Sequence, residues 1–189
     1  VTPTVLATRG SRRSLSDVVT AARWDDVVVK PAVGAGSFAT HRLQDVSSPE
    51  SRRLFDELLA RHDMLIQPYL DSVEGHGERA LVWIDGAFTH AVRKTPRFAA
   101  DVEVVSEALP IAADERAVAE HALAAALAGA GGGAGVDIHD LLYARVDVAR
   151  DARGRVVVME LELVEPSLFL LQSPPALERF VTAIAARLV

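Results

Sequence analysis

"LLYARVDVARDARGRVVVMELELVEP", residues 141–166, decides how the chain is read. Two runs rich in β-branched residues flank a short polar turn containing Gly154, so the stretch predicts a β-hairpin. Side chains alternate between faces along a strand, which places Tyr143, Arg145 and Asp147 on one side of the first run. Glu160 and Glu162 share a side of the second run, with Met159, Leu161 and Leu163 on the other. The same alternation expects Val156 and Val158 on the glutamates' side, as part of a half-covered surface. A turn centred between Arg153 and Gly154 sets Asp147 opposite Glu160 and Arg145 opposite Glu162. Like charges directly opposite one another destabilise a hairpin unless something cationic lies between them. A hard divalent cation answers that need, since Mg²⁺ takes one or two carboxylates together with substrate phosphates. Arg145 beside it can hold a phosphate with two parallel hydrogen bonds. The pattern also fits a solvated face with an Arg145–Glu162 ion pair, and on residues alone both readings stand.

Working outward, "VVVKPAVGAGS", residues 27–37, runs a hydrophobic strand into Lys30 and then into a loop with Gly34, Gly36 and Ser37. Glycines let backbone N–H groups approach an anion, and the serine hydroxyl adds a donor. The lysine precedes the glycines, so this is not the Walker-A arrangement. "MLIQPYL", 64–70, reads as a buried strand stopped by Pro68. "RALVWIDGAFTHAVRK", 79–94, is a hairpin turning at Asp85-Gly86, with His90 and Lys94 on one face. A short helix is expected within 14–22, capped by Ser14 or Ser16, and a stronger one within 47–63, with Ser48 as cap and Pro49 in the first turn. Two more follow: an alanine-rich helix from about residue 113, ended by glycines, and an amphipathic C-terminal one opening on prolines. Residues 129–135 are expected to be a flexible connection. Antiparallel hairpins with helices laid against them make an α+β fold.

Composition bounds the function. With 189 residues, half of them hydrophobic, the chain can build one domain or two small lobes. A net charge of −6 opposes nucleic-acid binding. The absence of cysteine excludes disulfides and thiolate metal sites. No stretch reads as a signal peptide or membrane span, so a cytoplasmic protein with no membrane partner is expected. The six histidines form no convergent motif. The chain opens on Val1 in what reads as a strand already under way, which suggests a natural start further upstream.

Taken in order, these elements resemble the ATP-grasp superfamily, and the resemblance covers nearly the whole chain. It implies two α+β lobes with antiparallel sheets gripping a nucleotide between them, a small lobe over 1–66 and a large lobe over 67–189. "VVVKPAVGAGS" looks like the strand lysine and phosphate loop, so Lys30, Gly34, Gly36 and Ser37 would hold the phosphates of ATP. "MLIQPYL" looks like the adenine-binding hinge, through Gln67, Tyr69 and Leu70. Glu78 matches the ribose-binding acid best and Glu74 second, and Lys94 a basic residue on phosphate or substrate. "YARVDV" and "VMELELVEP" are similar to the R-x-D and E-x-N magnesium motifs, at the spacing found in D-alanine–D-alanine ligases. The implied ligands of Mg²⁺ or Mn²⁺ are Asp147, Glu160 and Glu162, with Glu165 as an alternative, and Arg145 stabilises the transferred group. Glu162 stands where the family has an amide, Gln67 where a glutamate is common, and the family's upstream lysine and N-terminal domain have no counterpart here. The ending "ELELVEPSLFL" looks most like the glutathione-synthetase-like group and the cyclo-ligase that makes D-cycloserine. The implied activity is ATP-driven ligation of a small-molecule carboxylate to an amine or other nucleophile through an acyl phosphate, with a homodimer as one admissible assembly. The alternatives are a catalytically incomplete ATP-binding module and a structural domain that binds a divalent ion.

Overall fold

The computed structural model describes residues 1–34, 36–95, 104–129 and 137–188. Its chain forms two compact units, one over Thr2–Tyr69 and the other from Leu70 onward. Each carries a four-stranded antiparallel sheet, so the expected α+β class holds.

In the first unit, strands β1 (Val5–Ala7), β2 (Val27–Pro31), β3 (His41–Leu43) and β4 (Met64–Pro68) lie in the order β1-β4-β2-β3. Strand β3 carries no hydrophobic signal of its own and is held by pairing Val27 with Leu43 and Val29 with His41. Helix α1 (Leu15–Ala22) starts at a capping box: the Asp17 N–H donates to Ser14 Oγ, and the Ser14 N–H to the Asp17 carboxylate. Helix α2 (Pro49–Leu59) starts at Ser48, whose hydroxyl accepts from the Ser51 N–H. Along β2, Val27 and Val29 are fully buried beside Phe55, Met64 and Ile66, while Val28 and Lys30 point away from that core. The two-residue period thus directs Lys30 off the hydrophobic face.

In the second unit, a short helix α3 (Ser72–Gly75) precedes β5 (Glu78–Ile84) and β6 (Ala87–Lys94). Helix α4 (Ala113–Gly129), strands β7 (Tyr143–Arg150) and β8 (Val156–Glu162), and helix α5 (Pro174–Arg187) complete it, in the sheet order β6-β5-β7-β8. The connection expected over 129–135 lies almost wholly outside the described residues. Asp85 and Gly86 both have positive φ, 44° and 92°, as a two-residue hairpin turn requires. One face of the sheet buries Leu81, Trp83, Val146, Val148 and Val158 against Ala119, Leu123 and Leu127 of α4. On the other face, Val82 and Ile84 pack with Ala176, Phe169 and Phe180 of the C-terminal segment.

Two β-bulges set the phase of this sheet. On β6, Val82 pairs with His90 but Trp83 with Phe88, leaving Thr89 as the extra residue. On β8, Asp147 pairs with Glu160 but Val148 with Val158, leaving Met159 extra. The second bulge corrects the expectation for Val156 and Val158. The extra residue reverses the alternation, and these valines join the core under α4, on the face opposite the glutamates.

Candidate functional site

Pairing across four strands assembles one polar face on the second sheet. Asp147 of β7 sits between Ala80 of β5 and Glu160 of β8, and Arg145 between Val82 and Glu162. These last pairings are the ones expected from the sequence. One row away, Glu78 of β5 opposes Lys94 of β6. Ala80 places only a methyl group beside Asp147, so the long Lys94 side chain can cross to the carboxylate diagonally.

The contacts are tight and partly buried. Lys94 Nζ lies 2.5 Å from Glu78 Oε1 and 2.5 Å from Asp147 Oδ2. Arg145 donates Nε to Asp147 Oδ1 at 2.8 Å and Nη2 to Asp147 Oδ2 at 3.0 Å, a two-pronged contact on a fully buried carboxylate. Arg145 Nη2 also donates to Glu162, and Nη1 to the Ser167 carbonyl at 3.4 Å. Carboxylate oxygens of Glu78, Asp147 and Glu160 all lie within 4.8 Å of one another.

Electrostatics follow from this crowding. Burial would raise the Asp147 carboxyl, but Lys94 and Arg145 outweigh it and hold the group below its ordinary range. Burial opposes the charge on Lys94 too, yet Asp147 and Glu78 hold the ammonium above its usual value. Glu78 goes the other way. Its burial, joined by repulsion from Asp147 and Glu160, pushes it up to about 7 against the pull of Lys94. Burial likewise raises Glu162, opposed by Arg145.

The structure therefore brings together Lys94, Arg145, Asp147, Glu160 and Glu162, and adds Glu78 to their number. Glu78, expected at the ribose, stands in the carboxylate cluster, while Glu162, expected as a metal ligand, is engaged by Arg145. Glu165 is exposed in a left-handed turn beyond β8, and Glu74 is exposed on α3. The donor set of three carboxylates suits a hard cation such as Mg²⁺, which prefers oxygen ligands.

A residue that sequence reasoning missed is Gly77. At φ +85° it precedes Glu78, and a β-carbon there would meet Arg93 Cγ at 2.4 Å. The Arg93 side chain lies across the glycine, so both conformation and space require it. Its signal in the sequence was "GHG", residues 75–77, before the strand, which a hairpin reading passes over.

The residues expected at phosphate and adenine lie in the first unit, except Leu70, which opens the second. Gly34, Gly36 and Ser37 are exposed in the loop after β2, and Gly36 and Ser37 have φ of 60° and 62°. A serine in the left-handed region is uncommon. The Ala32 N–H donates to the Asp63 carbonyl at 2.7 Å, extending the ladder that anchors the loop's start. Gln67 is buried and its amide donates to Thr4 Oγ1 at 2.9 Å, while the Tyr69 N–H donates to the Asp26 carbonyl. The Tyr69 ring lies 3.4 Å beneath the Arg42 guanidinium, and Leu70 is buried.

Comparison with known proteins gives a consistent result. The chain is 38% identical over 170 residues to the cycloserine biosynthesis protein DcsG of Streptomyces lavendulae, a match spanning 86% of this chain and 55% of that protein. The crystal structure of D-cycloserine synthetase DcsG superposes with a TM-score of 0.84 at 36% identity, covering the whole chain and 65% of the synthetase. A D-alanine–D-alanine ligase from Bacillus anthracis, complexed with ATP, shares the fold at TM-score 0.65 and 16% identity, over 98% of this chain and 59% of the ligase. The ATP-grasp ligase PsnB, complexed with Mg and ADP, does so at TM-score 0.58 and 19% identity, over 97% and 54%. The chain thus spans between half and two thirds of the length of these relatives. No protein-family model matches it.

Proposed function

We propose that the chain is a member of the ATP-grasp superfamily and serves an ATP- and Mg²⁺-dependent ligase that joins a carboxylate to an amine or other nucleophile. The observation that carries this reading is the single sheet face on which Arg145 and Asp147 oppose Glu162 and Glu160, with Lys94 and Glu78 in the next row.

In the proposed reaction a substrate carboxylate oxygen attacks the γ-phosphorus of ATP. The bond to the β,γ-bridging oxygen breaks, giving an acyl phosphate and ADP. The nucleophile then attacks the acyl carbon, phosphate leaves, and the nucleophile's proton passes to solvent. Asp147 and Glu160 would hold a Mg²⁺ ion, which would supply charge neutralisation for the phosphates. Lys30 and the backbone around Gly34, Gly36 and Ser37 are assigned to the phosphates, and the Gln67–Leu70 segment to adenine. Arg145, held rigid by Asp147 and Glu162, orients the transferred phosphoryl group. No protein nucleophile is needed, so catalysis rests on positioning and preorganised charge. The likeness to D-cycloserine synthetase favours a small amino-acid derivative whose carboxylate and nucleophile belong to one molecule.

The test is ADP formation from ATP with a panel of small amino-acid derivatives, in Mg²⁺ and in EDTA. The reading expects ADP that depends on both metal and carboxylate. ADP release indifferent to metal, or no release with any carboxylate, contradicts it.

A further inference from the structure

We propose that His90 is an acid-operated latch: its neutral imidazole keeps residues 165–170 closed over one end of the second sheet's polar face, and a proton on the ring lifts them. The inference concerns a motion of the fold and does not depend on the ligase reading.

The hydrogen bonds around the ring fix its tautomer. His90 stands on β6 opposite Val82 and is 4% exposed. The hydroxyl of Thr89, the extra residue of the bulge, donates to the Val82 carbonyl at 3.2 Å. A threonine hydroxyl has one proton, so across the 2.9 Å to His90 Nδ1 it can only accept. Nδ1 therefore carries the ring's hydrogen, and Nε2 is a bare acceptor. That Nε2 is buried and finds no partner among the described residues. A further proton can be taken only there, where the ring faces the Leu168 and Phe169 backbone.

The surroundings oppose a charge on the ring. Along the same row of the sheet, the next charged group beyond Val82 is Arg145, two strands and roughly 10 Å away, with Glu162 past it. Along β6, Lys94 shares the face four residues on, roughly 13 Å away. The covering segment and α5 bring Leu168, Phe169 and Phe180, and the Arg179 guanidinium donates to the Ile84 and Asp85 carbonyls. The nearest charges in register are thus cations. Burial outweighs the pull of the Leu168 and Phe169 backbone and holds the imidazole below its ordinary value. Lifting the segment hydrates the ring and removes that penalty, so acid favours the lifted form.

The segment is also lightly moored. Glu165 and Phe169 hold left-handed backbone at φ of 50° and 47°, strain that lifting relieves. Arg145 Nη1 reaches the Ser167 carbonyl at 3.4 Å, and Leu168, Phe169 and Leu170 pack with Val82 and Ile84. Release frees Arg145 from Ser167 and uncovers Phe169.

Hydrogen exchange of the full 189-residue chain, read by mass spectrometry and corrected for the intrinsic rate at each pH, tests this. Between about pH 7.5 and about pH 5, wild-type protection over residues 165–172 should fall at least about tenfold relative to β5. In His90→Gln and His90→Phe, which take up no proton there, the same ratio should stay within about twofold. A wild-type ratio indifferent to pH overturns the inference, as does an equal fall in the variants. Should both variants fail to fold, nitrogen NMR of the wild-type imidazole decides. Proton uptake at His90 Nε2 over the pH range in which the segment loses protection upholds the latch, and uptake with the segment still protected overturns it.

Discussion

The polar face of the second sheet and the loop after β2 are built in opposite ways. On the face, each charged side chain stands on a strand, its direction set by the two-residue period and its neighbours by register. The loop instead offers backbone, turned by Gly36 and Ser37 in left-handed conformations, with Lys30 at its root. A strand-built site couples function to stability, because its charges are buried against one another. A loop-built site can change affinity while leaving the core untouched.

The sharpest way to break this contrast is Asp147→Asn. The carboxylate is fully buried and pairs with both Lys94 and Arg145, so the variant leaves Lys94 with Glu78 alone and Arg145 with Glu162 alone. Breaking such a buried network costs about 3–5 kcal/mol. Urea denaturation should show that loss in the second unit's transition, and a loss under 1 kcal/mol would mean that the network is solvated and the contrast false. Gly77→Ala comes next. Its β-carbon collides with Arg93 at a positive φ, which should cost about 1–3 kcal/mol and disturb the adjacent Glu78. Calorimetry of Gly77→Ala beside Gly154→Ala checks it, since Gly154 has positive φ but open space. Equal losses would remove the role assigned to the Arg93 contact. Smallest in stability is Lys30→Met, which should change it by no more than about 0.5 kcal/mol while weakening binding of an ATP analogue. A large stability loss there would make the loop's root as structural as the face.

Much of the face was legible because alternation in residues 143–147 and a turn near Gly154 narrow which side chains meet. The pairings Asp147–Glu160 and Arg145–Glu162 are as expected, but the turn is centred on Arg153 and the extra Met159 restores that register. What was not legible were the bulges. A regular hairpin about Asp85-Gly86 would set Glu78 against Arg93, but the extra Thr89 moves Lys94 opposite Glu78. Met159 likewise puts Glu160 and Glu162 on the site face while Val156 and Val158 stay in the core. A bulge adds one residue with no change of composition, so periodicity alone cannot detect it. Periodicity alone therefore leaves Glu78 outside the carboxylate cluster that the structure brings it into. In the first unit, Ser37 shows the same limit, since nothing in its identity announces a left-handed backbone.

The central claim is that the carboxylate face holds a metal on which nucleotide binding depends. Isothermal titration of the chain with a nonhydrolysable ATP analogue, in Mg²⁺ and then in EDTA, tests it most directly, with Glu160→Gln run in parallel. The account predicts binding in Mg²⁺ that is lost or weakened at least about tenfold in EDTA, and a Glu160→Gln variant that behaves in Mg²⁺ as wild type does in EDTA. Equal affinity with and without Mg²⁺, or a Glu160→Gln variant that keeps the full Mg²⁺ effect, would contradict it.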